Sequence, residues 1–295
     1  MEINSSQLSA LSRLFSSAVV RQLAVEGRSA AFTRLARQLD ALFRDLKLPY
    51  VKDAFDAAFE ILKRRGLRDE YIYKAALAHR ILMGKHSLRT ACMLSEFRAG
   101  SSKADIAILN GTTTVFEIKS ERDSLSRLQQ QLINYRKVFA SVFVIAGENH
   151  VDAVLEATPR DVGVMSLTRS FQIRTLREAM NQPFRICPLT VFQSLRTAEA
   201  ADIVANAGLD IPNVPNTRLR TELRNLFATL APEDVHDGML RTLKRTRDLK
   251  SLQWLVDQLP VSLHVAALSV PLRKCDHDRL VQAVNTPMKL AMGWS

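Results

Sequence analysis

Apolar positions across residues 1–60 recur at helical spacing. Leu8, Leu11, Leu14, Phe15 and Ala18 form one run, and Phe32, Leu35, Leu39, Leu42 and Phe43 form another. Gly27 separates the runs and Pro49 ends the second. A third helix is predicted from near Lys52 to Arg65, closed by Gly66 just past its end. Asp69 is suited to cap a further helix, Glu70–Met83, with Gly84 as its stop.

The pattern then changes. Residues 91–98, 104–110, 114–119, 141–147 and 162–167 are short, rich in Ile, Val and Phe, and bounded by Gly, Ser and Asn. Those features predict strands. A helix is predicted over Ser124–Phe139, with Leu125, Leu128, Leu132, Tyr135 and Phe139 on its apolar face. A short helix is expected near Asp152–Ala157. Beyond Pro188 the pattern is helical again, and Pro188, Pro215, Pro232, Pro260 and Pro271 cut it into helix-sized pieces. The reading is an α/β core (67–180) between an N-terminal helical region (1–66) and a C-terminal one (181–295).

Composition narrows the class. At 47% hydrophobic and 24% charged, the 295 residues resemble an ordinary globular protein. No run is long and apolar enough for a membrane span, and the N-terminus lacks a secretion-signal pattern. Cys92, Cys187 and Cys275 are odd in number and far apart, so neither a disulfide framework nor a CxxC zinc site is expected. A cytoplasmic location is the simplest expectation. The net charge is +11, and 29 of the 41 basic residues are Arg, whose fork matches phosphate oxygens. The excess is concentrated: between Ile61 and Arg89 eight cations face two acids. Lys63, Arg64, Arg65 and Arg68 are therefore candidate nucleic-acid contacts, as is Lys103. Arg241, Lys244, Arg245, Arg247 and Lys250 form a second cluster, read as a solvated face with a DNA-contacting arm as the alternative.

The chemistry centres on two predicted strands. Asp105 opens Asp-Ile-Ala-Ile-Leu, and Glu117 and Lys119 stand two apart in Val-Phe-Glu-Ile-Lys-Ser, on one face of their strand. Phe116 and Ile118 face the other way. Asn110-Gly111 signals a hairpin between the strands. A two-residue loop would set Asp105 opposite Phe116, on the wrong face. A three-residue loop, Asn110-Gly111-Thr112, would set it opposite Glu117, as the chemistry requires. Two carboxylates so placed repel each other and need compensation, which a hard dication such as Mg²⁺ (or Mn²⁺) supplies. The Ile118 carbonyl would be a further ligand, and Lys119 would place or deprotonate a water.

An Asp on one strand, a hairpin, Glu-x-Lys on the next, then a helix and another strand resembles the PD-(D/E)XK nuclease superfamily, also called restriction-endonuclease-like. The wider run is similar to a bacterial branch of it. The resemblance covers roughly 69–167 and departs at one point: Ala104 stands where the motif has Pro. It implies a restriction-endonuclease-like mixed sheet with flanking helices and a metal-dependent nuclease, with DNA the foremost substrate. It implies an upstream Glu in the metal site, with Glu70 and Glu96 as rivals. It also implies a supporting polar residue on the following helix, for which Gln131, beside Tyr135, is the choice. Asp105→Ala and Lys119→Ala are expected to abolish cleavage and leave the fold intact.

Other readings stay open. Glu-x-Lys alone carries no weight, and an Asp105–Lys119 cross-strand ion pair would be an ordinary sheet feature. The core could also be a non-cleaving module that binds nucleic acid or protein. The helical regions could instead form a homo-oligomer. Cys275-Asp-His277 has no second half for zinc, and neither a P-loop nor a GxSxG motif is present.

Overall fold

The computed structural model describes residues 3–44 and 46–295. Six helices open the chain: α1 (Ser5–Leu14), α2 (Ser17–Glu26), α3 (Ala30–Gln38), α4 (Asp40–Phe43), α5 (Val51–Leu62) and α6 (Glu70–Leu77). Three strands follow, β1 (Cys92–Ala99), β2 (Ser102–Asn110) and β3 (Thr112–Lys119). Then come α7 (Leu128–Tyr135), β4 (Ser141–Ala146), α8 (Val151–Ala157), β5 (Gly163–Leu167) and β6 (Ile173–Arg177). The chain closes with α9 (Pro188–Ser194), α10 (Thr197–Asn206), α11 (Asn216–Phe227), α12 (Pro232–Thr246), α13 (Gln253–Gln258), α14 (His264–Ser269), α15 (Lys274–Val284) and α16 (Met288–Ala291). None of the described helices is long and apolar enough to cross a membrane.

These elements form two compact units. One gathers residues 1–79, 169–171 and 250–295; the other gathers 80–168 and 172–249. In the first, the terminal helices of the chain join the opening ones. α15 packs on α2, and the Thr33 hydroxyl donates to the Ala291 carbonyl at 2.8 Å. Its core is aromatic, with Phe15 stacked on Tyr71 at 4.3 Å between ring centres and Phe32 against Phe55 at 5.5 Å. Local signals behave as their chemistry requires. Gly27 ends α2 at φ 73°, and the Asp69 side chain accepts the Ile72 N–H at the start of α6.

The second unit is a mixed α/β layer structure around a six-stranded sheet of order β1-β2-β3-β4-β5-β6. β1–β2, β2–β3 and β5–β6 are antiparallel, whereas β3–β4 and β4–β5 are parallel. α7 and α8 are the crossovers that parallel pairing demands. Every residue of β4 and β5 is buried, as expected for parallel strands covered on both faces. Leu128, Leu132 and Tyr135 of α7 pack with Val115, Val142 and Val144 in the core.

Three elements differ from the sequence reading. The helix expected over Glu70–Met83 is α-helical over Glu70–Leu77 and continues as a π-helix over Ala78–Leu82. The helix expected over Ser124–Phe139 is α-helical only over Leu128–Tyr135. Ahead of it, Asp123 accepts the Ser120 N–H at 2.8 Å and the Ser124 hydroxyl accepts the Ser126 N–H at 3.2 Å, local bonds that compete with a helix. β6 was not expected at all, because its Arg-rich Ile-Arg-Thr-Leu-Arg has neither alternation nor an apolar run. It is an edge strand, paired on one side by β5.

Candidate functional site

The site begins with register. β2 and β3 pair Asn110 with Thr112, Leu109 with Thr113 and Ile106 with Phe116. Gly111 turns the chain at φ 70°, a conformation that suits glycine. One step beyond the last pair, Asp105 stands level with Glu117, which is the three-residue-loop register. On the other side, β1 pairs Ser95 with Ile106 and Phe97 with Ala104, so Glu96 is level with Asp105 as well. Three carboxylates thus occupy equivalent places on three adjacent strands. Carboxylate oxygens of Glu96 and Asp105 lie within 4.8 Å of each other. Glu96 is held at φ 55°, a left-handed conformation that costs a non-glycine residue about 1–3 kcal/mol.

Glu117 and Lys119 share the face that looks toward α7. Both are nearly closed to solvent, at 1% and 4% exposure. The Lys119 ammonium donates to Glu117 Oε1 at 2.8 Å and to Gln131 Oε1 at 2.9 Å. Gln131 therefore meets Lys119 directly. The Tyr135 hydroxyl lies 2.7 Å from Glu117 Oε2 and 2.8 Å from the Lys103 carbonyl, and its single proton serves one or both acceptors. Burial, with the Glu117 charge beside it, raises the Tyr135 phenol far above its ordinary value, so it stays a donor. Asp105 takes the Ile118 backbone N–H at 2.7 Å. Ile118 thus reaches the acidic row through its nitrogen.

A cleft of about 420 Å³ opens beside Asp105, lined by Ser101, Ser102, Lys103, Asp105, Arg127, Gln130 and Gln131. Its rim is the turn from β1 to β2. Asn134 of α7 donates to the Ser101 and Ser102 hydroxyls at 3.0 and 2.8 Å. Lys103 pairs with Glu96 at 3.3 Å. Asn134 and Arg127 were not anticipated from sequence; nothing in their spacing marks them apart from a place on α7 and just before it. Tyr135 was placed in the apolar stripe and beside Gln131, and its hydroxyl is the polar end of that packing.

The remaining nominated residues lie in the helical unit. Glu70 opens α6, is half-exposed, and pairs with Lys74 at 2.5 Å. Arg68 does not present itself to a phosphate. It is 1% exposed, and its guanidinium donates to the Lys63 and Arg169 carbonyls at 2.8 and 3.1 Å. Lys63 is partly buried, whereas Arg64 and Arg65 are exposed. In the second basic cluster, Arg247 does not belong to a solvated face: it holds the buried Glu199 at 2.7 Å.

The family described as Bacteriophage P4 protein cII matches residues 63–259. The chain belongs to that family. Every candidate site residue falls within the matched span. Protein cII of Enterobacteria phage P4 is 29% identical over 138 residues, covering 45% of this chain. The chain spans 52% of that relative's length. Among solved structures, the SPO1766 protein of unknown function from Silicibacter pomeroyi aligns with a TM-score of 0.31 and 18% identity. That alignment covers 45% of this chain and 88% of the other.

Proposed function

We propose that this protein is a metal-dependent nuclease with a restriction-endonuclease-like core. The observation that carries the reading is the juxtaposition of the Glu96–Asp105–Glu117 row with a buried Lys119 that Gln131 holds from the facing helix. The donor set fits a hard dication, being all carboxylate oxygen, with two of its members within 4.8 Å of each other. Glu117 retains acceptor capacity, since a carboxylate has about four lone-pair sites and here meets one ammonium and one phenol. Asp105, Glu117 and Glu96 would hold Mg²⁺ or Mn²⁺, with the Ile118 carbonyl as an additional ligand. When bound, the metal stabilises charge on the phosphate and on the leaving oxygen. Lys119 has two N–H donors committed to Glu117 and Gln131, which fixes the third for a water or a phosphate oxygen. Arg127 and Lys103 line the cleft that would take the backbone of the nucleic acid, DNA foremost.

A second reading, a non-cleaving binding module on the same fold, draws on one observation. Lys119 and Tyr135 each donate to one oxygen of Glu117, so the protein's own donors hold that carboxylate in place. One experiment separates the two. The purified protein is incubated with labelled duplex, single-stranded and branched DNA and with RNA, in Mn²⁺, beside Asp105→Asn, while its melting is followed with and without metal. The nuclease reading expects cleavage and a metal-dependent rise in melting temperature, both lost in Asp105→Asn. Melting indifferent to metal, with every substrate intact, would leave the binding module.

A further inference from the structure

The segment after β6 carries a surface that the acidic row does not use. Residues 180–187 run past the end of α7 and the start of β4, and are pinned there. The Met180 N–H donates to the Asp161 carbonyl at 3.0 Å, that of Gln182 to Ala140 at 2.9 Å and that of Cys187 to Lys137 at 2.9 Å. The guanidiniums of Arg136 and Arg185 meet on the Asp161 carboxylate. A segment held so firmly still leaves its two largest apolar side chains outside: Phe184 is 61% exposed and Met180 52%. Ile133, one turn before Arg136 and Lys137 on α7, is exposed as well. We propose that this patch is the interface through which two copies of the chain pair about a two-fold axis.

Single exposed apolar residues are ordinary, but here three border one clamped segment. Aromatic, methionine and arginine side chains are enriched at interfaces, and a rigid anchor loses little freedom on binding. Charge is what selects a second copy as the occupant. The sheet order sets out two flanks: Thr112 opens β3, Asp161 precedes β5, and Ala140, where Gln182 bonds, precedes the β4 that lies between them. The β5 flank is basic. Lys137 and Arg160 are exposed there, and two guanidiniums share one carboxylate. The β3 flank is acidic. The turn Pro183–Arg185 packs on α12, whose first residues include the exposed Glu233, Asp234 and Asp237. Asp237 Oδ1 lies 2.8 Å from His236 Nδ1, and His236 Nε2 lies 3.3 Å from the Thr112 hydroxyl, which donates to Asn181 Oδ1 at 2.7 Å. An apolar centre with opposite charges on its two sides is complementary to itself under a two-fold rotation, each basic flank facing the other copy's acids. Flanks of a single sign would repel their own copy. Glu117 and Lys119 stand at the far end of β3 from Thr112, roughly 20 Å along the strand. Pairing here therefore leaves the cleft open in both copies, and the proposal does not rest on the nuclease reading.

The test is sedimentation equilibrium of the full chain, without metal or nucleic acid, at concentrations up to the order of 100 µM. A patch of this size belongs to the small class of interfaces, so a monomer–dimer equilibrium with Kd on the order of 10 µM is expected. Phe184→Asp is expected to raise that Kd on the order of tenfold or more, with melting unchanged because the side chain is exposed. Charge swaps test the flanks. One chain carries Lys137→Glu with Arg160→Glu, and another carries Glu233→Lys with Asp234→Lys. Each alone is expected to be monomeric, because like charges then face each other, and an equal mixture is expected to associate. Circular dichroism checks the fold of each. Should a swapped chain not fold, Phe184→Asp and Met180→Ser carry the test. A chain that stays monomeric throughout the range would overturn the proposal and leave the patch to a different protein. So would a dimer indifferent to Phe184→Asp and Met180→Ser, or folded swapped chains that stay apart when mixed.

Discussion

The Asp105 carboxylate accepts the Ile118 backbone N–H at 2.7 Å, just past the Ile106–Phe116 pair where the β2–β3 ladder stops. A side chain has replaced a main-chain carbonyl as the acceptor, so one acid both faces the cleft and ties two strands. This dual role separates two substitutions. Asp105→Asn keeps an oxygen for Ile118 and removes only the charge. Asp105→Ala leaves a donor of a residue 3% exposed without that partner, at a cost of about 1–3 kcal/mol. Urea unfolding is expected to rank Ala well below Asn, and equal stabilities would show that the bond contributes nothing.

That arrangement was legible in sequence to an unusual depth, and the reason is periodicity. A strand has period two, so Asp105, Gly111 and Glu117 together fix a register, and the wrong loop length would turn every side chain over. The strands β1 to β5 are marked by apolar runs, and the crossover α7 by its stripe. What the sequence hid was context. Nothing in Leu-Arg-Asp-Glu says that Arg68 is buried, because the carbonyl of Arg169 that it meets lies a hundred positions away. The left-handed Glu96 has no signature, since local preference argues against it. The return of 250–295 to the opening helices depends on long-range packing, such as α15 on α2, that no local pattern records.

Lys119 and Glu117 form an ion pair with side chains 5% and 2% exposed. Lys119→Met would strand a buried carboxylate with Tyr135 as its remaining donor, and is expected to cost about 3–5 kcal/mol. Adding Glu117→Gln removes the stranded charge and should recover part of that loss. A double-mutant cycle by urea unfolding measures the coupling, and strict additivity would show that the pair is not coupled. Lys119→Ala is therefore expected to lower stability, so loss of cleavage in that variant would not by itself separate chemistry from folding, whereas Asp105→Asn keeps the Ile118 bond.

Gly100 and Gly111 both adopt positive φ, 60° and 70°, but in different surroundings. A Cβ on Gly100 would lie 2.8 Å from the Asn134 Oδ1, whereas one on Gly111 meets nothing within 4 Å. Both alanine variants carry a backbone penalty, about 1–3 kcal/mol. Only Gly100→Ala also pushes on the residue that braces Ser101 and Ser102. It is expected to melt lower than Gly111→Ala, and the difference should shrink when both are compared in an Asn134→Ala background. An unchanged gap would place the cause elsewhere.

Glu199 offers a test by pH. Burial alone would push its carboxyl up, but hydrogen bonds from the Arg247 guanidinium and the Arg196 N–H, with both arginine charges, outweigh burial and hold it below its ordinary value of 4.5. The acid is 2% exposed, and Arg247 grips both its oxygens, at 2.8 and 2.7 Å. A carboxylate with a lowered folded value contributes stability that is fully present above the unfolded value. That stability is lost as pH falls through the folded one, because the unfolded chain takes up the proton first. Stability should therefore decline on acidification below about pH 4.5. Glu199→Gln cannot titrate, so it should lower stability at neutral pH and flatten the acid limb. Unfolding by urea at neutral pH and near pH 4 gives both quantities. A variant whose acid limb matched that of the unaltered chain would mean that other carboxylates set the acid response and that the Arg247 clamp acts only through packing against Phe97, whose ring centre lies 5.4 Å away.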